Sequence, residues 1–261
     1  MRLFHALVDD AGLFPPTALP MAEALKRHRA DLAGGSPVLT HRFLCAAGRL
    51  PELRAHLDGL PIRLGLILDT PDLPPVGDLD VELVEVPGGR PVALGDLAAR
   101  QFVEVTADRL PVDPPPGVGL KVRCGGTVAA AFPSAHDLGA FVSHCVEHGL
   151  PFKATAGLHN AVRHFDPVLG VDRHGFLNLV LAVCAAVEGR DPVPVLSTTD
   201  VGELVRLARA VPDGTAGRAR ELLVSYGSCS TRTPIDDLLA LGLITEQHVG
   251  AVGATGTEEN A

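Results

Sequence analysis

The chain has 261 residues, 46% of them hydrophobic, and a formal net charge of −9; that length suits one large α/β barrel or two small domains, with apolar residues enough for a sizeable core. No basic block is present to neutralise nucleic-acid phosphates, and no run of 18 apolar residues is present to span a membrane. The five cysteines, Cys45, Cys124, Cys145, Cys184 and Cys229, include no C-x-x-C pair, so neither a zinc ribbon nor a disulfide framework is indicated.

The opening stretch, MRLFHALVDDAGLFPP, has acids where a secretion signal would be cleaved, so a cytoplasmic protein with reduced thiols is expected. Short apolar runs then recur with loops or helical patterns between them. Candidate strands are 2–8 (RLFHALV), 38–46 (VLTHRFLCA), 62–68 (IRLGLIL), 81–86 (VELVEV), 101–106 (QFVEVT), 118–124 (VGLKVRC), 151–156 (PFKATA) and 222–227 (LLVSYG). Helical patterns cover 20–32, closed by Gly34 and Gly35, then 50–58 and 93–100. A further one covers 135–148, with Ser134 as N-cap and Asp137 three residues on. The last three are 175–188, 199–210 and 234–241, the final one with Thr233 as cap, Pro234 in the first turn and Asp236 as capping carboxylate.

Eight strands alternating with helices is the count of a (βα)8 TIM-type barrel. Two connections, 70–78 and 108–117, are proline-rich and too short for a helix. Residues 157–221 separate the seventh strand from the eighth. The expectation is therefore a single α/β barrel over 1–249, irregular in its βα units, with a helical insertion before the last strand. The polar, small-residue tail 250–261 is expected to be disordered.

Lysine is rare: Lys26, Lys121 and Lys153 stand against 19 arginines. Lys26 lies among Arg27, His28 and Arg29 in a polar stretch, whereas the other two sit inside apolar strands. In a parallel barrel alternate residues face the lumen. Leu120, Val122, Phe152 and Ala154 form helix-facing sets, so Lys121, Arg123, Lys153 and Thr155 point inward. Val103 and Val105 turn Glu104 inward by the same rule. A lysine can lose its proton where arginine cannot, and a neighbouring cation helps it do so. Three readings follow: an amine nucleophile, a binder of a substrate carboxylate or phosphate, or a buried ion pair with Glu104.

The segments LKVRCGG and FKATAGL resemble the sixth- and seventh-strand lysine motifs of class I aldolases of the deoxyribose-phosphate aldolase type. LVDDAGLFPP is similar to that family's first-strand segment, and SYGSCS to its last-strand phosphate loop. The resemblance implies that Lys121 forms an imine, that Lys153 lowers its pKa, and that Asp9 is the first-strand aspartate. It also implies phosphate contacts at Gly227 and Ser228. For the family's fourth-strand aspartate, Glu82 and Glu85 both read as out of phase, and Glu104 is the substitute.

Gly125 and Gly126 after the sixth strand offer further amides for an anion, with Arg123 and Arg232 as charges. His159, Arg163 and His164 follow the seventh strand, where substrate loops lie. A divalent-metal site drawn from His5, Asp9, His41, His159 and Cys229 is conceivable, but no ligand spacing requires it, and no metal or other cofactor is expected. Cys124 and Cys229 read as packing thiols or as nucleophiles. The sequence thus points to a lyase acting through a lysine imine on a small oxo compound, phosphorylated or not. The alternatives are a metal-dependent or acid/base barrel enzyme whose lysines hold an anionic substrate, and a non-catalytic metabolite-binding barrel. The expected partner is a small molecule, with no nucleic acid and no membrane, and with homo-oligomers left open.

Overall fold

In the computed structural model, which describes residues 2–108, 110 and 116–246, the apolar runs become strands β1 (Val8–Asp10), β2 (Leu39–Ala46), β3 (Arg63–Ile67), β4 (Asp80–Val86), β5 (Arg100–Val105), β6 (Val118–Arg123) and β7 (Phe152–Thr155). A short antiparallel pair, β8 (His164–Asp166) and β9 (Val171–Arg173), precedes the last barrel strand, β10 (Leu223–Ser228). The eight barrel strands close in parallel in the order β1-β10-β7-β6-β5-β4-β3-β2, the (βα)8 TIM-type architecture. The expected tail at 250–261 lies outside the described residues.

Helices α1 (Met21–Gly34), α2 (Leu50–His56) and α3 (Ala135–Glu147) pack outside the barrel. Ser134 caps α3 by accepting a hydrogen bond from the amide of Asp137, as its sequence pattern indicates. Then come α4 (Phe176–Val187), α5 (Val193–Ser197), α6 (Val201–Ala210), α7 (Asp213–Leu222) and, after β10, α8 (Arg232–Ala240).

The expected alternation holds through most of the barrel. Phe43, Cys45, Leu64, Leu66, Val81, Val84 and Val103 join one helix-facing core. Leu120, Val122, Phe152, Ala154 and Tyr226 join the other, where Phe152 meets Phe141 edge-on and Tyr226 stacks on Phe176. Inside, Leu44, Leu83 and Phe102 fill the apolar part of the lumen, and two glycines make the room. A Cβ on Gly65 would lie 2.5 Å from Leu44 and 2.9 Å from Leu83; one on Gly119 would lie 2.5 Å from the Phe102 ring.

Four expectations need correction. The first strand starts at Val8, because Arg2–Phe4 form a 3-10 turn and Ala6 takes a left-handed φ of 48°; His5 is therefore in a turn below the barrel. No helix forms over 93–100: Gly88, Gly89 and Gly95 have positive φ, Pro91 lacks an N–H, and Arg100 already belongs to β5. The last helix starts at Arg232 and has no side-chain cap from Thr233. Finally, the insertion holds more than the helical patterns at 175–188 and 199–210, because α5, α7, with its two glycines, and the β8–β9 hairpin are also part of it. Its centre is α4, apolar on every side and enclosed by the elements that follow. The one polar side chain buried there, Asn178, accepts from the Arg163 amide (2.8 Å) and donates to the carbonyls of Val195 (2.8 Å) and Thr198 (2.9 Å).

Gly119 tests the packing. In Gly119→Ala the new methyl meets Phe102 and also the Pro151 carbonyl oxygen, 2.7 Å away and part of the backbone. The variant is expected to lose about 1–3 kcal/mol in urea unfolding; unchanged stability would show that the lumen is looser than described.

Candidate active site

Strand register brings the polar residues together. Glu104 pairs with Lys121 across β5 and β6, Lys121 with Lys153 across β6 and β7, and Lys153 with Ser225 across β7 and β10. Four inward side chains on four adjacent strands thus lie in one row. Asp9 of β1 reaches the same level, and Glu85 enters from β4.

These groups belong to a continuous chain of alternating charge. Glu82 binds Arg42 at 2.8 Å, and Arg42 binds Asp9 at 2.7 Å. Asp9 pairs with Lys153, which lies 3.5 Å from Glu85 Oε1. Glu85 Oε2 is 2.6 Å from Lys121, Lys121 is 3.0 Å from Glu104, and Glu104 is 3.1 Å from Arg123. Four carboxylates alternate with four cations. Asp9 accepts hydrogen bonds from Thr40 and Arg42 on one oxygen and from Ser225 and Lys153 on the other. Lys153 also donates to Ser225 at 2.7 Å, which closes a triangle around the buried carboxylate.

Glu85 corrects the reading of β4. The β3–β4 register passes from Leu64–Val81 to Gly65–Leu83, so Glu82 is the extra residue of a bulge. Val81 and Val84 both face the helices, three residues apart, and both glutamates reach the lumen side. Glu85 is buried and touches both lysines, the position that Glu104 was expected to fill. Glu104 is there as well, closer to solvent. Arg42 and Ser225 also escaped notice, although alternation with Phe43 and with Gly227 places them inward.

Charge decides protonation. Burial alone would raise the Asp9 carboxyl, but Lys153 and Arg42 outweigh it and hold it at about 2. Glu104 is lowered in the same way, with Lys121 and Arg123 overcoming burial. For Lys121 burial favours the neutral amine, yet Glu85 and Glu104 prevail and raise its pKa above the ordinary 10.5. The expectation that a neighbouring cation frees the Lys121 amine is thus reversed at rest, because Glu85 stands between the two nitrogens. Lys121 is 4% exposed and Lys153 1%.

The remaining expected residues line the C-terminal mouth or support it. Arg123 is half-exposed above Glu104. Gly125 is buried, with room for a Cβ taken by Phe132 and Gly157, and Gly126 faces Ala131. Gly227 faces the lumen, whereas Ser228 is buried and donates its hydroxyl to the Ser230 carbonyl at 2.6 Å. His159 sits in the loop after β7, with its Nδ1 3.6 Å from Cys229. Arg163 pairs with Asp172, which ties it to the insertion.

The conceivable metal set does not assemble, since His5 and His41 lie where strands begin and His159 and Cys229 where they end. Among the described residues no three His, Cys, Asp or Glu side chains are grouped to hold a metal ion. A cavity of ≈ 550 Å³ does open beside His5, Arg2 and Arg220, but at the N-terminal face and away from the lysines. No helix among the described residues is long and apolar enough to cross a membrane. The chain matches no protein-family model and no curated protein.

Asp9 gives the acid limb of stability a specific origin. Its folded pKa is depressed, so its contribution is present above the ordinary 3.8 and is lost as pH falls toward about 2. That difference is worth about 2 kcal/mol. Chemical unfolding between pH 4.5 and 2 should show this loss, and Asp9→Asn should be less stable at neutral pH with a flatter acid limb. An unchanged acid limb in Asp9→Asn would place the titrating group elsewhere.

Proposed function

We propose that this barrel is a lyase of the class I aldolase kind, acting on a small oxo compound through an imine on Lys121. The barrel fold is common to many enzymes, whose chemistry gathers at the C-terminal ends of the strands. The observation that carries the reading is that the Lys121 and Lys153 amines, on adjacent strands, meet the two oxygens of one buried carboxylate, Glu85. Together with Asp9 this gives lysines on the sixth and seventh strands and carboxylates on the first and fourth, the arrangement implied by the aldolase-like motifs.

Glu104, 3.0 Å from Lys121 and 19% exposed, relays the ammonium proton to solvent. The neutral amine adds to the substrate carbonyl, Glu104 brings a proton back to the carbinolamine oxygen, and water leaves as the imine forms. The bond between the α and β carbons then breaks: its electron pair passes to the iminium as an enamine, and the β-hydroxyl gives its proton to the Glu104 carboxylate as that fragment leaves as a carbonyl compound. The proton returns to the enamine carbon before water hydrolyses the imine. Lys153, held by Asp9, Ser225 and Glu85, is the fixed cation behind the reacting nitrogen. Arg123 is the mouth cation suited to an anionic substituent. Arg123 keeps an open face beside its pair with Glu104, whereas both lysines are enclosed by carboxylates, which weakens the reading in which the lysines simply hold an anion.

A second reading, a catalytically silent barrel, is favoured by one observation: Lys153 is almost wholly enclosed. Trapping separates the two. Acetaldehyde with borohydride should add a stable mass to the peptide containing GLKVRCGG, Lys121→Arg should abolish it, and Lys153→Arg should retain slower labelling. Because Lys121 is held protonated, the trapping rate should still be climbing at pH 10.5, and Glu104→Gln should move the profile to lower pH. Labelling confined to exposed Lys26, or undiminished labelling in Lys121→Arg, would end the imine proposal.

A further inference from the structure

Cys229 stands apart from the other cysteines. All five are buried, Cys229 at 6% exposure, but Cys45, Cys124, Cys145 and Cys184 lie among apolar side chains, and burial pushes the thiols of Cys45, Cys124 and Cys184 up to about 12. Cys229 directly follows β10 and continues the inward phase of Ser225 and Gly227, which places it at the C-terminal mouth. Its sulfur lies 3.6 Å from His159 Nδ1, in the loop after β7. Thr17, in the loop after β1, adds a smaller push toward the thiolate than His159 does. The thiol after the last strand and the imidazole from the loop after β7 thus meet at the mouth of the barrel.

The surrounding charges are accounted for. From α1, Arg27 donates to the Cys229 carbonyl at 2.8 Å and is paired with Asp10, which also contacts His28. Asp31 of the same helix is partly buried, and burial raises its carboxyl above the usual aspartate value. None of these carboxylates accepts from the sulfur. Although burial works against ionisation, His159 and Thr17 outweigh it and lower the Cys229 thiol from 9.0 to about 7.

We propose that Cys229 and His159 form a second nucleophilic centre at the mouth of the barrel, one that takes small electrophilic carbonyl compounds as reversible hemithioacetals and does not depend on Lys121. The thiolate sulfur bonds to the carbonyl carbon as the carbonyl π pair moves to oxygen. The oxygen takes the proton that His159 has received from the thiol, and no oxidant or co-reactant is needed. Thr17 keeps the sulfur ionised before attack. The adduct sits on the same face as Glu104 and Arg123, so the centre can hold a carbonyl compound at the entrance to the lysine row.

Iodoacetamide labelling with peptide mapping tests this on the intact chain, the four other cysteines serving as internal controls. Cys229 should be alkylated first, with a rate midpoint near pH 7. In His159→Gln the midpoint should move toward 9.0, and the rate at pH 7 should fall roughly fivefold once the higher nucleophilicity of a more basic thiolate is allowed for. Thr17→Val, on the other loop, should shift the midpoint in the same direction, which keeps the test decisive if the histidine variant folds poorly. Glyoxylate should slow alkylation of Cys229 reversibly, equally in the parent and in Lys121→Arg. An unreactive Cys229, or a midpoint unmoved in both variants, overturns the pair. Alkylation that glyoxylate does not slow overturns the carbonyl site, and protection lost in Lys121→Arg overturns its independence from the imine lysine.

Discussion

The interaction on which the barrel depends is the alternation of charge through its lumen. A buried ammonium or carboxylate is tolerated only where an opposite charge and hydrogen bonds replace its hydration, and removing one partner of such a pair costs about 3–5 kcal/mol. Here Arg42, Lys153, Lys121 and Arg123 are interleaved with Glu82, Asp9, Glu85 and Glu104, so each buried group is held from two sides. The chain runs from the strand starts near Arg42 to the mouth at Arg123. It fixes side chains that an apolar filling would leave no reason to order, and it sets which of them carries a proton.

That arrangement needs a particular backbone. Lys121 and Lys153 are level because β6 and β7 pair without a slip, and Glu85 reaches them because the bulge at Glu82 lets β4 offer two inward acids on one short strand. Gly65 and Gly119 let Leu44, Leu83 and Phe102 fill the lumen beside the charges, so water is displaced where there is no ion pair to hold it. Outside, the insertion wraps α4 and the Phe176–Tyr226 stack, which anchors β10 and hence Ser225 and Cys229.

Much of this was legible in the sequence because period-two alternation is a hard constraint in a parallel barrel. It put Lys121, Arg123, Lys153 and Glu104 in the lumen, and the segment order gave the (βα)8 architecture. Asp9 came from the aldolase-like first-strand motif, and its acceptance of four hydrogen bonds needed the structure. Alternation failed at Glu85, because a bulge breaks the period and leaves no mark in VELVEV. It failed at the first strand, where Ala6 adopts a backbone that alanine rarely takes. The 93–100 pattern misled because apolar spacing was weighed above Gly95 and Pro91. Cys229 reads in the sequence as a packing thiol, a nucleophile or a conceivable metal ligand, with nothing to choose among them, since what distinguishes it is the approach of His159 from a loop far away in the chain.

The two groups proposed as nucleophiles, Lys121 and Cys229, therefore open on one face. The carboxylates beside Lys121 raise its pKa, and His159 beside Cys229 lowers the thiol to about 7, so each is set by the groups that surround it. The claim beneath both is that the charge chain, and not burial, sets the state of Lys121. With three lysines in the chain, ¹⁵N labelling of lysine side chains gives a spectrum simple enough to assign by Lys→Arg substitution, and a pH titration reads each Nζ directly. The account predicts that the Lys121 nitrogen still reports an ammonium at pH 10.5. A Lys121 nitrogen already neutral at pH 8 would contradict it, because desolvation would then have outweighed Glu85 and Glu104.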